Sequence, residues 1–223
     1  MGNDDTENSF FAIRRELRAR SPESRRSFSA GVRLIAQGFP VEHVHFVFRG
    51  TIKFSYVERS GREFISNLRS GPCMVGAEAA LLDCPSLVTA TTLNDCEVGQ
   101  YAASDFRKAL DGSANLSFHI SRSVARESLT QTSTLIDTVS GSARYRLLAF
   151  LKACEVKSDG KYSGRDSRPT VYLKKNEIAK LLTITPEHLS RLIRALKREG
   201  LLDCRGQRLA LNATPLARER SND

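Results

Sequence analysis

Residues 175–197, KNEIAKLLTITPEHLSRLIRALK, narrow the folds open to this chain more than any other segment. Apolar side chains recur at Ile178, Ala179, Leu181 and Leu182, then at Leu189, Leu192, Ile193 and Leu196. Each group has the i, i+3, i+4 spacing that lines one face of a helix. Thr183, Ile184, Thr185 and Pro186 separate the two groups. Thr185 suits an N-cap, and Pro186 suits the first helical position, where its missing N–H has no role. The segment therefore reads as a helix-turn-helix. Its second helix would display Glu187, His188, Ser190 and Arg191 in the first turn, with Arg194 one turn further on. Those groups suit a major-groove reader: a carboxylate accepts from cytosine N4, and an arginine fork donates to guanine O6 and N7. The alternative is two packed helices of an ordinary core. In that reading Glu187 and Arg191 are an i, i+4 surface pair worth about 0.2–0.5 kcal/mol. Thr183 stands where glycine is common, so left-handed backbone there would carry strain, and a looser turn is expected.

The charge is uneven. The net charge is +9 over 223 residues, yet residues 1–138 hold 16 basic and 16 acidic side chains, and residues 139–223 hold 18 and 9. The whole excess lies in the part that carries the helix-turn-helix. Clustered positive charge is what phosphate-backbone binding by counterion release requires. A membrane surface would call for a basic helix with an aromatic apolar face, and none is evident. No apolar run reaches the roughly 18 residues of a membrane span, and the polar, acidic start is unlike a signal peptide. Cytoplasmic placement is the expectation. Cys73, Cys84, Cys96, Cys154 and Cys204 form no C-x-x-C pair and read as small buried hydrophobes. There is no Gly-rich phosphate loop and no Ser/His/Asp grouping, so no enzymatic activity is expected.

Along the chain, residues 7–20 read as a short amphipathic helix carrying Phe10, Phe11, Ile13 and Leu17. Alternation of period two then marks strands at 32–36, 43–48, 51–57, 64–68, 87–92 and 96–101, punctuated by Gly and Pro. Many short antiparallel strands at this spacing imply a barrel or jelly roll. A short helix at 103–110 ends at Asp111-Gly112, and a long one spans 114–137; a helix of that length either lies on its own barrel or pairs with a second copy of itself. Residues 139–142 read as a hinge, with helix resuming at 143–155. A polar loop at 157–168 and a strand at 170–173 lead into the helix-turn-helix. Residues 201–203 and 208–211 would form a hairpin about Arg205-Gly206-Gln207, and the tail after Ala213 reads as disordered. The division expected is α+β: a jelly-roll effector domain at 1–112, a linking helix at 113–138 and a winged helix-turn-helix domain at 139–223.

A jelly roll, a long helix and a C-terminal winged helix-turn-helix, in this order, resemble the cyclic-AMP receptor protein / fumarate-nitrate regulator (CRP/FNR) superfamily of bacterial transcription factors. The specific marks are Gln37-Gly38 with Pro40, Val47-Phe48-Arg49-Gly50, Val75-Gly76, Val88-Thr89-Ala90-Thr91 and the second helix of the turn motif. The resemblance implies a homodimer joined through the long helix, where Leu116, Ile120, Val124 and Leu129 are the candidates. It also implies a two-fold symmetric operator in double-stranded DNA, RNA polymerase as a partner, and a signal in the barrel that repositions the DNA-binding domains. Activation is the commoner mode in the family. Glu187, Ser190 and Arg191 resemble the Glu-x-x-Ser-Arg arrangement of the fumarate-nitrate branch, whose half-site is TTGA-like. Thr185, His188 and Arg194 complete the candidate DNA-binding set. His188 either touches a phosphate or points back into the turn.

The sensor end is less explicit. In cyclic-nucleotide members of the family, a Gly-Glu-Leu turn and an Arg-Ser pair grip the ribose and the cyclic phosphate. Here the matching residues are Gly76-Ala77-Glu78-Ala79 and Pro85-Ser86, so Ala77 replaces the ribose-binding Glu and Pro85 the phosphate-binding Arg. A buried phosphate without its cation is costly, so cyclic AMP is disfavoured, and Glu78, one residue out of register, adds negative charge. An iron–sulfur cluster of the fumarate-nitrate type needs four thiolates near the N-terminus, and no cysteine precedes Cys73. Haem stays open through His43 and His45, on one face of a strand, and His119. Cys73 and Cys84 flank the ligand turn and would form a thiol switch only if their Cα atoms lie within roughly 7 Å. Inert burial is the expectation. A DNA-binding regulator is thus set against a small-molecule-binding signalling module whose basic domain contacts protein or RNA, and against a ligand-free regulator controlled by its own abundance.

Overall fold

The computed structural model describes residues 3–156, 175–205 and 208–211. The chain divides into two compact units, Met1–Ser133 and Thr134–Asp223. The first unit runs α1 (Asn3–Arg18), β1 (Ser24–Phe28), β2 (Arg33–Ile35), β3 (His43–Arg49), β4 (Thr51–Val57), β5 (Glu63–Ser70), β6 (Cys73–Val75), α2 (Ala77–Leu82), β7 (Thr89–Thr92), β8 (Cys96–Ala102) and α3 (Ala103–Asp111). The long helix α4 (Ala114–Ser140) follows. The strands form two antiparallel four-stranded sheets, ordered β1-β8-β3-β6 and β2-β7-β4-β5. This is the jelly roll that the period-two pattern implies.

Strand β3 is central. Its Val44, His45, Phe46 and Val47 are all buried, because β8 and β6 pair with its two edges and helices cover it. Phe10 of α1 lies 5.3 Å from the ring of Phe46 and 5.8 Å from that of Phe48. Phe10, Ile13 and Leu17 form the buried stripe of α1, at the helical spacing read from sequence. Burial of each such side chain stabilises the unit by about 1.5–3 kcal/mol. The helix begins earlier than the expected residue 7 and stops at Arg18. Gly50, in the tight step between β3 and β4, adopts φ +97°, and a Cβ there would lie 2.6 Å from the Asp95 carbonyl oxygen. Only glycine tolerates both conditions.

Three elements lie outside the sequence-based expectations. Strand β1 pairs along its whole length with β8, from Ser24↔Gln100 to Phe28↔Cys96. Its side chains are almost all exposed, so no apolar alternation marks it. The short β6 and α2 fall below the length at which periodicity is informative. The long helix runs on to Ser140, so the break falls at Gly141 rather than across the whole of 139–142.

The candidate residues of α4 divide between two surroundings. Leu116 and Ile120 are 0% and 2% exposed and belong to the first unit's own core, with Val124 packed against it. These three are committed to the barrel and leave little surface for a second copy. Leu129, by contrast, is 72% exposed, and Phe118, Leu135, Ile136 and Val139 are also exposed. No helix among the described residues is long and apolar enough to cross a membrane.

The second unit contains α5 (Ala143–Val156), α6 (Lys175–Leu181), α7 (Pro186–Arg198), β9 (Leu202–Arg205) and β10 (Arg208–Leu211). Leu147, Leu148, Leu151, Ile178, Ala179, Leu182, Leu189, Ile193, Leu196 and Leu202 are buried. β9 and β10 pair antiparallel, Arg208 opposite Arg205, as the expected wing. The expected loop at 157–168, the strand at 170–173 and the tail after 213 lie outside the described residues.

Candidate nucleic-acid interface

The local chemistry of the turn motif is explicit. Thr185 adopts extended backbone, φ −77° and ψ 153°, and its Oγ1 accepts from the His188 backbone N–H at 3.2 Å. Pro186 then opens α7. This is the cap expected from sequence, and it commits the Thr185 hydroxyl to the helix. The helix ahead of it ends in a Schellman arrangement. Ile184 N–H donates to Ala179 O at 3.0 Å and Thr183 N–H to Lys180 O at 3.2 Å. Thr183 is left-handed, φ +54°, and not the looser turn that its Cβ would favour. Its Oγ1 donates to Leu182 O at 2.7 Å, which offsets part of the strain. Helix α7 ends in the same bonding pattern, but there glycine fills the left-handed position, with Gly200 at φ +73°.

Helix α7 buries Leu189, Ile193 and Leu196. Glu187, Arg191, Arg194 and Arg198 are exposed, and their i, i+4, i+7, i+11 spacing aligns them on one outward stripe. Glu187 in the first turn and Lys197 and Arg198 in the last complement the helix dipole. Glu187 and Arg191 form no ion pair with each other. Ser190 and His188 are half-buried beside the stripe. The Ser190 hydroxyl donates to Pro186 O at 2.8 Å, so only its acceptor lone pairs and methylene face outward. Arg194 Nε donates to Ser190 O at 3.3 Å. The structure thus brings Glu187, Ser190, Arg191 and Arg194 together on one end and flank of α7, with Thr185 behind them as the cap.

The candidate effector residues are less well gathered. Gly76 has φ +86°, and a Cβ there would sit 2.6 Å from Ile35 Cδ1. Ala77 is buried at the start of α2. Pro85 is exposed and bridges to Pro40, while Ser86 is held structurally: its N–H donates to Phe39 O and its hydroxyl to Val88 O at 2.7 Å. Glu78 faces a cleft of about 110 Å³ that is also lined by Phe10, Cys73, Met74, Val124 and Thr130. Arg69 of β5, only 14% exposed in its side chain, sits in that cleft and pairs with Glu127 of α4. Its Cζ stacks 4.9 Å above the Phe54 ring, its Nη1 donates to Met74 O at 3.3 Å, and Glu78 Oε1 is 3.9 Å from its Nη2. The guanidinium in the cleft holds a carboxylate, and the Pro85 position offers no cation.

Of the haem candidates, His43 is exposed and His45 buried, with ring centroids 6.4 Å apart. Burial pushes the His45 imidazole down to about 4, with a smaller contribution from His43. Cys73 and Cys84 are half-buried and Cys96 is buried, which pushes the Cys96 thiol up. Sequence reasoning did not single out Arg69, Glu127, Arg144 or Arg146. Their partners are far away in the chain, and no local pattern points to them.

A model of the cyclic nucleotide-binding domain matches residues 25–113, and a model of the Crp-like helix-turn-helix domain matches residues 145–217. Among solved structures, the c-di-GMP responsive global regulator CLP of Xanthomonas campestris is similar at 18% identity and a TM-score of 0.73, covering 92% of this chain and 100% of that one. FixK2 of Bradyrhizobium japonicum is similar at 18% identity and a TM-score of 0.75, covering 86% and 93%. A CRP-family transcriptional regulator of Thermus thermophilus, TTHB099, is similar at 20% identity and a TM-score of 0.69, covering 83% and 91%. At these identities the likeness is one of fold. No curated protein matches the chain at a significant level.

Proposed function

The chain belongs to the CRP/FNR superfamily of transcription regulators, and we propose that within it this protein binds a palindromic, TTGA-like operator as a homodimer and regulates transcription initiation there. The observation that carries the reading is the N-terminal end of α7. Glu187 and Arg191 are exposed one turn apart and not paired with each other, on a helix whose cap and proline fix where it begins. An exposed carboxylate and guanidinium so placed suit a G·C pair, with Arg191 donating to guanine O6 and N7 and Glu187 accepting from cytosine N4. Ser190, its proton turned back to Pro186, offers an acceptor to an adenine N6 or its methylene to a thymine methyl. Arg194, Lys197 and Arg198 meet phosphates, which position the helix without reading sequence.

The homodimer would form through the exposed α4 stripe about Leu129, Ile136 and Val139 rather than through Leu116 and Ile120. RNA polymerase is the further partner this reading implies. A signal at the barrel would act at the cleft that holds Arg69, and neither cyclic AMP nor an iron–sulfur cluster suits the residues present there.

Fluorescence anisotropy tests the reading. The probes are a duplex with inverted TTGA-type half-sites, a scrambled duplex and a single strand, each titrated from about 50 to 200 mM salt. Tight binding to the first alone, with log affinity falling linearly in log salt, is expected. Equal affinity for all three would overturn it, and preference for the single strand would favour an RNA-contacting module instead.

A further inference from the structure

Two arginines in the first turn of α5 reach the helices of the turn motif. Arg144 clasps Glu199, at the end of α7, with both nitrogens: Nη1 to Oε1 is 2.9 Å and Nη2 to Oε2 is 2.6 Å. The guanidinium holds the Glu199 carboxyl below the usual carboxylate range. Arg146 does something different. Its Nη1 donates to Gly141 O at 2.9 Å and its Nη2 to Leu182 O at 3.1 Å. Gly141 is the break between α4 and α5, where the Ser142 hydroxyl caps the next helix by accepting from Tyr145 N–H. Leu182 directly follows the first helix of the turn motif and precedes left-handed Thr183, and its carbonyl also accepts from Thr183 Oγ1.

A guanidinium is planar and rigid, so its two nitrogens hold two carbonyls at a set separation. An ammonium has no such fork. The Arg146 bonds therefore fix the Leu182–Thr183 corner against the Gly141 break. The direction of α7 follows from that corner, because α7 begins three residues after Thr183 and buries Leu189 and Ile193 against the unit's own core.

We propose that Arg146 is a positioning residue for operator recognition: it sets the angle at which α7 leaves the Gly141 break, and so which half-site spacing the dimer accepts, without itself touching DNA. The proposal rests on the DNA-reading function given above. A dimer with two rigidly held reading helices accepts one half-site separation, because each helix must enter its major groove in phase. Loosening one tie in each protomer widens the accepted range. It leaves unchanged the chemistry by which Arg191 reads its own base pair.

The experiment uses the full chain and inverted TTGA-type duplexes whose half-site centres are moved apart or together by one base pair. Wild type, Arg146→Met and Arg146→Lys are compared at a temperature where circular dichroism shows each folded. Wild type should favour one spacing. In Arg146→Met, which loses both charge-assisted hydrogen bonds, that preference should fall by about tenfold or more. Discrimination at the Arg191 base pair should persist in the same variant. Arg146→Lys, able to hold one carbonyl but not two, should fall between, and it decides the matter alone if Arg146→Met does not fold. Unchanged spacing preference in the folded variants overturns the proposal, as does a parallel loss at the Arg191 base pair, which would mean general disruption. If wild type itself shows no sequence preference, the DNA-reading function fails first and takes this inference with it.

Discussion

Arg69 on β5 and Glu127 on α4 form an ion pair inside the cleft of the first unit, where the guanidinium also stacks on Phe54 and bonds Met74 O. Removing the carboxylate leaves a largely buried cation with Glu78 as its remaining acidic neighbour, at 3.9 Å. Glu127→Gln should therefore lower the unfolding free energy of the first unit by about 1–3 kcal/mol, read by urea denaturation. An unchanged midpoint would show that the pair contributes no net stability.

Arg191→Ala should cost about 1–3 kcal/mol of specific affinity and flatten discrimination at a single base pair. Anisotropy with single-base variants of the operator measures both. A uniform loss on every sequence would mean that Arg191 only holds phosphate.

Leu129 and Ile136 are 72% and 58% exposed, whereas Leu116 is fully buried. Leu129→Glu or Ile136→Glu should shift sedimentation from dimer to monomer with the thermal midpoint of the first unit preserved. Leu116→Ala should do the reverse, costing about 2–5 kcal/mol of stability by opening a cavity. A dimer that survives both acidic substitutions would place the interface elsewhere.

Thr183 is strained by its left-handed backbone, φ +54°. Glycine carries no Cβ penalty there, though it forfeits the bond from Oγ1 to Leu182 O. Relief of about 1–2 kcal/mol outweighs this one part-buried hydrogen bond to the adjacent carbonyl. Thr183→Gly should therefore raise the stability of the second unit, by up to about 1 kcal/mol in denaturant titrations. A destabilised variant would show that the hydroxyl matters more than the strain.

His45 supplies a pH dependence. Burial lowers its imidazole from an ordinary 6.5 to about 4, so the unfolded chain takes up a proton that the folded one resists. Stability is then fully present above about 6.5, declines as pH falls towards 4, and levels off below that. The loss is roughly 3 kcal/mol over the window. His45→Leu should flatten this part of the stability–pH curve. An identical slope in that variant would assign the acid sensitivity to other groups.

What could be read in advance depended on how far along the chain each cause lies. The cap at Thr185, the proline at the next position and the stripe of α7 are set by neighbours within a turn or two, so the candidate reading end was legible before any fold was known. The six strands expected from alternation all appear. Strand β1 escaped because its partner, β8, supplies the hydrogen bonds while its side chains face water, leaving no apolar signature. Which part of α4 packs on the barrel stayed open, since a helix pattern shows that Leu116 and Ile120 share a face but not what covers it.

The amino-acid order alone settled most of the elements, all but β1, β6 and α2 of the first unit, and the exposed groups at the start of α7, because helix caps, strand alternation and turn chemistry act between near neighbours. Tertiary structure decided the rest. It turned the first turns of α4 onto the barrel, set Arg69 against Glu127, and joined Gly141 to Leu182 through Arg146. Each of these requires the folded chain to bring distant segments together, and no short-range pattern records where they will meet.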